Sequence, residues 1–285
     1  MRPRIIRMML TQTLALLRDH GVRLRKRSGQ HQVIDRALLE RMIEHAELSE
    51  DDVVLEIGAG IGNLTLLLAR RGVKVIAIEK DKRLMAVMRK RLKNQKNVKL
   101  MCGDVLRIQL PEFNKVVANL PYGISSEITF RLLEHGFELA VLMYQKEFAQ
   151  RLVASPGSEH YGRLTVNVHY RASVEVLEEV PPSAFFPEPK VTSSIVKMKP
   201  RDPPFDVLDE RMFFSVVRGL FQHRRQRVRN ALYRSFGGIF PKTTMSKTER
   251  RAFIDGKLPR ELAEARVVDL EPEKFATIAN LLISP

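Results

Sequence analysis

The chain has 285 residues, 44% of them hydrophobic, which is enough for one large domain plus a smaller one, each with an apolar core. Its single cysteine, Cys102, excludes an internal disulfide framework and a multi-cysteine zinc site; it fits a reducing, cytoplasmic compartment and is expected to be an inert core residue. A net charge of +15 favours polyanionic partners, and no apolar stretch reaches the ~20 residues of a membrane span, so nucleic acid is favoured over a membrane and no metal is expected.

The apolar N-terminus (Ile5-Ile6, Met8-Met9-Leu10, Leu14, Leu16-Leu17) is interrupted by Arg2, Arg4 and Arg7. It lacks a leader's clean apolar core and small-residue cleavage site, and reads as an amphipathic helix packing on the main domain. A basic loop, Arg23-Leu-Arg-Lys-Arg-Ser-Gly-Gln, follows. Asp35 is placed to cap a helix reaching about Leu48, with Leu38, Leu39, Met42 and Ile43 inward. From residue 53 the pattern alternates. Strands are expected at Val53–Ile57, Val73–Ile78, Val98–Met101, Lys115–Ala118 and Leu139–Tyr144; helices are expected at Asn63–Arg70, Lys82–Lys93 and about Ser125–Glu134. Strands apolar on both faces belong to a mostly parallel sheet covered by helices, an α/β fold. Val174–Val180 and Val191–Met198 read as a closing pair of strands joined by a Pro-rich connection. Pro200-Arg-Asp-Pro-Pro-Phe then breaks the pattern, and the remainder has helical periodicity, with Phe213, Val216, Val217, Leu220 and Phe221 in one stripe. The expected division is 1–30 as helix and basic loop, 31–200 as the main domain, and 201–285 as a small all-helical domain.

Four features at successive strand ends carry chemistry. Gly58, Gly60 and Gly62 follow the first strand and leave the backbone bare for a ligand. Their G-x-G-x-G spacing lacks the phosphate-cradling fingerprint of dinucleotide folds. Glu79, about 20 residues on, is placed to accept both hydroxyls of a ribose. Asp104, after the third strand, could accept from an adenine amine. Asn119-Leu-Pro-Tyr ends the fourth strand with an amide acceptor, a stiffened turn and an aromatic face, which suits a flat amino-bearing ring such as adenine. Each alone fits an ordinary turn or helix cap. Together they favour a ligand site on the carboxyl edge of the sheet, and S-adenosylmethionine fits it better than a dinucleotide.

With these residues, the chain resembles the rRNA adenine N6,N6-dimethyltransferases, which act on two adjacent adenosines near the 3′ end of small-subunit rRNA. The resemblance runs through Lys26-Arg-Ser-Gly-Gln-His, Leu55-Glu-Ile-Gly-Ala-Gly-Ile-Gly, Glu79-Lys-Asp, Gly103-Asp, Asn119-Leu-Pro-Tyr-Gly-Ile-Ser-Ser and Tyr144-Gln-Lys-Glu-Phe-Ala. It continues through Tyr161-Gly-Arg-Leu and Val180-Pro-Pro-Ser-Ala-Phe-Phe-Pro-Glu-Pro-Lys-Val, and more loosely to Leu232. It implies a Rossmann-like methyltransferase domain using S-adenosyl-L-methionine. By the same resemblance His31 and Val33 belong to a loop closing over the cofactor, Gly58 touches its methionine portion, Glu79 its ribose and Asp104 its adenine. Asn119 and the Leu120 carbonyl, held by Pro121, would accept from the target N6 amine, while Tyr122 and Phe185 would stack on the base and Phe186 would pack. The chain departs from the family pattern at Gln32, Val33, Gly123 and Glu127.

Two basic groups are expected to hold phosphates: Arg23, Arg25, Lys26 and Arg27 beside the cofactor loop, and Arg224, Arg225, Arg227 and Arg229 in the helical domain, with few local acids to neutralise them. The implied partner is small-subunit rRNA in a pre-ribosomal particle, met by a monomer. Two rivals stand beside this reading: a large-subunit rRNA adenine methyltransferase of the macrolide-resistance type, and a non-catalytic RNA-binding assembly or transcription factor.

Overall fold

The computed structural model describes residues 2–24 and 30–283. The chain forms two compact units. The first runs to Ala149 and resumes over Val174–Pro200; the second comprises Gln150–Ser173 and the chain from Arg201 onward.

The first unit opens with α1 (Arg2–Asp19), the short strand β1 (Gln32–Val33) and α2 (Arg36–His45). Asp35 caps α2, its carboxylate accepting from the Leu38 N–H at 3.2 Å, and Leu38, Leu39, Met42 and Ile43 are buried. The alternating region gives β2 (Val53–Ile57), α3 (Asn63–Ala69), β3 (Lys74–Glu79), α4 (Lys82–Arg91), β4 (Val98–Cys102), β5 (Lys115–Asn119), α5 (Ser125–His135) and β6 (Leu139–Gln145). Later come α6 (Lys146–Leu152), α7 (Arg163–Arg171), β7 (Ala172–Val180), β8 (Phe185–Phe186) and β9 (Ser193–Pro200).

Seven strands form one sheet in the order β4-β3-β2-β5-β6-β9-β7. β2 to β6 pair in parallel, and β9 joins β6 antiparallel. Right-handed crossovers put α3 and α4 on one face as the order steps outward from β2, and α5 on the other as it steps from β5 to β6. The order therefore reverses between β2 and β5, the switch point where open α/β sheets bind ligands. Gly58 and Asn119 flank that crevice. On the α3 face, Val54, Leu64, Leu67, Leu68, Val75, Val117 and Val141 share one core with α2 and with Met9 of α1. The N-terminal helix thus packs on the main domain.

The second unit adds α8 (Glu210–Phe221), α9 (Val228–Ile239), α10 (Lys247–Lys257), α11 (Arg260–Glu264) and α12 (Pro272–Ile283) to α7. Asp209 caps α8, and a capping box of Ser246 and Glu249 opens α10. The division differs from an uninterrupted 31–200 domain because α7 buries Val166 and Tyr170 in the cluster of Phe213, Val216, Val217, Leu220, Phe236 and Phe275. Apolar packing assigns that helix to the C-terminal helices. Cys102 is exposed, not a core residue; it ends β4, the edge strand of the sheet.

Candidate active site

The turn after β2 shapes the floor of the site. Gly58 has φ +74°, and a Cβ there would lie 3.2 Å from the Pro121 ring. Glycine is required for both the left-handed backbone and the close approach of the β5 turn. Gly60, at φ +61°, is packed beneath Gln32, whose side chain a Cβ would meet at 2.3 Å. Its N–H donates to Glu79 Oε2 at 2.8 Å, and the Ile61 N–H donates to Gln32 Oε1 at 3.2 Å. Gly60 therefore lies outside the lining and acts by fixing Glu79.

A cavity of about 770 Å³ opens over these strand ends, within the usual range for small-molecule sites. His31, Gly58, Glu79, Asp104, Asn119, Leu120, Pro121 and Tyr122 all line it. Glu79 ends β3, is 8% exposed, and accepts the Asp81 N–H through Oε1 at 2.7 Å as well as the Gly60 N–H. Burial raises its pKa above the ordinary carboxylate value, against those backbone donors. Asp104 is held the other way: a hydrogen bond from Lys80 Nζ at 2.8 Å lowers its pKa, helped by the Leu106 N–H at 3.1 Å.

Asn119 is the distinctive group. It ends β5, its Nδ2 donates to the His31 carbonyl at 3.2 Å, and its Oδ1 is buried with no hydrogen-bond partner among the described residues. An unpaired buried acceptor costs about 1–3 kcal/mol, so its place in a cavity wall marks it for a ligand's donor. Tyr122 follows the turn and is half-buried. Its hydroxyl lies 2.5 Å from Ser193 Oγ, and its ring stacks at 6.3 Å on His31, whose Nδ1 donates to the Pro187 carbonyl at 2.5 Å. Burial raises the Tyr122 pKa.

Other expected site residues lie elsewhere. Phe185 is 1% exposed and sits in the apolar core with Val33, its antiparallel partner across β1 and β8. It is closed to a base here, and Val33 is equally buried. Phe186 is the partly exposed member of the pair. Arg25, Lys26 and Arg27 lie outside the described residues. In the second unit the expected lack of neutralising acids fails, because acids arrive from distant elements. Arg227 pairs with Glu264 of α11, and Arg229 lies 3.9 Å from Asp255 of α10. Arg224 donates to the Ser158 and Glu159 carbonyls; Arg225 is exposed without an ion pair among the described residues. Conversely, Gln30, Lys80 and Asp81 line the cavity, although the sequence assigns them no site role beyond their place in the stretches Lys26-Arg-Ser-Gly-Gln-His and Glu79-Lys-Asp. Gln30 Nε2 and Arg83 both donate to Asp81, and Arg83 above all holds that carboxyl well below its usual range. Among the described residues no group of His, Cys, Asp and Glu is placed to hold a metal, and no helix is long and apolar enough to cross a membrane.

Comparison with known proteins agrees with this geometry. Residues 21–282 match the family model described as ribosomal RNA adenine dimethylase. The chain is 49% identical over 273 residues to a protein of Methanothermobacter thermautotrophicus named a probable ribosomal RNA small subunit methyltransferase A, covering 95% of each chain. A relative of the same name from Thermococcus onnurineus is 44% identical, with 96% of this chain and 98% of that protein covered. Among solved structures, a dimethyladenosine transferase from Plasmodium falciparum superposes with a TM-score of 0.72 at 30% identity, covering 85% of this chain and 94% of that one. The 23S rRNA methyltransferase ErmE gives 0.65 at 28% identity, covering 88% and 99%. A sheet whose strand ends gather a glycine turn, two carboxylates and an unsatisfied amide, matched over nearly its whole length, establishes that the chain belongs to the ribosomal RNA adenine dimethylase family of S-adenosylmethionine-dependent methyltransferases.

Proposed function

We propose that this enzyme converts two adjacent adenosines near the 3′ end of small-subunit rRNA to N6,N6-dimethyladenosine, acting as a cytoplasmic monomer on a partly assembled subunit. The observation that carries the reading is the buried Asn119 Oδ1 in the cavity wall, which has no hydrogen-bond partner among the described residues. The names of the curated relatives favour the small-subunit substrate over a large-subunit one.

The residues present fit the cofactor. Glu79 retains a free lone pair on each oxygen for ribose hydroxyls, Asp104 offers an acceptor to an adenine amine, and Gly58 leaves room for the methionine portion. When bound, S-adenosylmethionine supplies an electrophilic methyl on a sulfonium. The protein's work is on the target nitrogen. The lone pair of N6 is delocalised into the purine ring. Asn119 Oδ1 and the Leu120 carbonyl, accepting the two amine hydrogens, favour a pyramidal nitrogen with its lone pair free. Positioning and electrostatics then carry most of the catalysis. No general base is assigned, because N6 becomes acidic only as the methyl arrives. The target base must leave its stack to enter. Tyr122, with its hydroxyl tethered to Ser193, offers a face of fixed orientation. A second methylation needs room beside Asn119; Gly123, also in the cavity lining, has nothing among the described residues within 4 Å of where its Cβ would be.

Asn119→Ala tests the reading. It should leave S-adenosylmethionine affinity, measured by calorimetry, within a few-fold, while turnover falls about 100- to 1,000-fold, as for loss of one preorganised polar contact. Undiminished turnover would remove Asn119 from catalysis.

A further inference from the structure

The methyltransferase unit carries a second basic surface, remote from the cavity. From Lys82 to Gly103 the chain has eight Lys and Arg residues and no acid. Three more, Arg70, Arg71 and Lys74, stand between the end of α3 and the start of β3. The fold joins the two stretches: Asn97 Nδ2 donates to the carbonyls of Ala69 and Val73, both at 2.8 Å, tying the loop before β4 to the turn before β3. Arg70, Arg71, Lys74, Arg89, Lys93 and Lys96 are all exposed there, and among the described residues none forms an ion pair. Acids at the same sheet edge are Glu50, Asp51 and Asp52 before β2, Glu112 before β5 and Glu138 before β6. β2 is the neighbour of β3, and the Asp52 carbonyl accepts the Lys74 N–H at 3.1 Å, but the Asp52 carboxylate accepts from the Ser49 N–H and Asn114 Nδ2 and, among the described residues, pairs with no cation of the face.

Helix dipoles account for only part of this charge. The C-termini of α3 and α4 converge here, and each offers about half a negative elementary charge. Two ends offset roughly one of the six cations. Lys93 and Lys96 lie beyond α4, and Lys74 begins a strand. Arg70 also borders a cleft of about 160 Å³ whose lining includes Arg36 of α2 and Arg91 of α4. Arg36 is paired with Glu40, and Arg91 donates to the Ile61 carbonyl and Asn63, while Arg70 has no ion pair among the described residues. The face lies at the amino ends of the strands. Lys74 and Glu79 are the two ends of β3, roughly 16 Å apart at strand rise.

We infer that this face is a second RNA-docking surface, gripping phosphates of a segment well away from the target adenosine, so that the substrate is held at both edges of the sheet. The inference rests on the rRNA substrate proposed above. The test is the variant Arg71→Gln/Lys74→Gln/Lys93→Gln/Lys96→Gln, with particle binding measured from 50 to 300 mM salt against unmodified small-subunit particles and against naked small-subunit rRNA. All four positions are exposed, and unchanged S-adenosylmethionine affinity confirms the fold. The expected result is a binding slope against log salt shallower by about 2–4 and a roughly tenfold or greater loss of affinity at low salt, on particles and naked rRNA alike. A slope and affinity matching wild type would overturn the inference, and so would a loss confined to particles, which would point to an acidic protein partner. Failure of the wild type itself to bind or methylate particles would instead refute the substrate reading.

Discussion

Glu56 offers a quantitative test of how the floor of the site is built. It lies on β2 beneath α3, is 3% exposed, and its Oε2 is buried with no hydrogen-bond partner among the described residues. Burial chiefly, with the neighbouring Glu79 adding to it, raises its pKa from 4.5 to about 8; donors on Thr65 and the Arg91 charge oppose the shift. Arg91 forms no ion pair with it among the described residues. Because the folded pKa lies above the unfolded one, the folded state holds a proton that the unfolded state has released between those values. The stability Glu56 contributes is therefore complete below pH 4.5 and declines as pH rises toward 8, by about 1.4 kcal/mol per pH unit. Glu56→Gln, an uncharged near-isostere of the protonated acid, should be about 3 kcal/mol more stable than wild type at pH 7 and nearly equal to it at pH 4.5. Urea unfolding followed by circular dichroism at pH 5, 6, 7 and 8 and constant ionic strength measures the difference. All other titrating groups are common to both proteins, so the widening gap isolates Glu56. Parallel stability curves across this range would show that Glu56 is ionised in the folded protein and refute the reasoning.

Asp104→Asn keeps the shape but removes the carboxylate that Lys80 holds ionised; S-adenosylmethionine binding, read by calorimetry, should weaken about 10-fold, the worth of one charge-assisted hydrogen bond. Phe185→Ala should cost about 3–5 kcal/mol of unfolding free energy, as a buried aromatic does, whereas a base-stacking aromatic at the surface would cost little. Tyr122→Phe, which loses only the Ser193 contact, should retain most RNA affinity, while Tyr122→Ala should lose roughly 1–3 kcal/mol of stacking in an RNA-binding titration.

The strand ends were legible in sequence because they depend on local patterns. Apolar runs mark β2, β3, β4 and β5, and Gly58, Glu79, Asp104 and Asn119 stand at or just after the ends of those four strands in turn. What escaped depends on contacts between distant residues. Phe185 reads as an available aromatic until β8 pairs with β1 and buries it against Val33. Gly60 reads as bare backbone until Gln32 closes over it. Arg227 and Arg229 read as unneutralised until α10 and α11 bring Asp255 and Glu264. Cys102 has the composition of a core residue, but its strand ends at the sheet's edge. The helix α7 lies between two parts of the sheet domain in sequence, and its apolar face nevertheless finds its core among the C-terminal helices.

The direct test of the pocket's chemistry is to incubate purified protein and S-adenosylmethionine with small-subunit particles lacking the modification, then digest the rRNA and map methylated nucleosides by mass spectrometry. N6,N6-dimethyladenosine at two neighbouring positions near the 3′ end, absent when Asn119→Ala replaces the wild type, is the expected result. Methylation at another atom or base, or the same dimethyladenosine from both proteins, would contradict it.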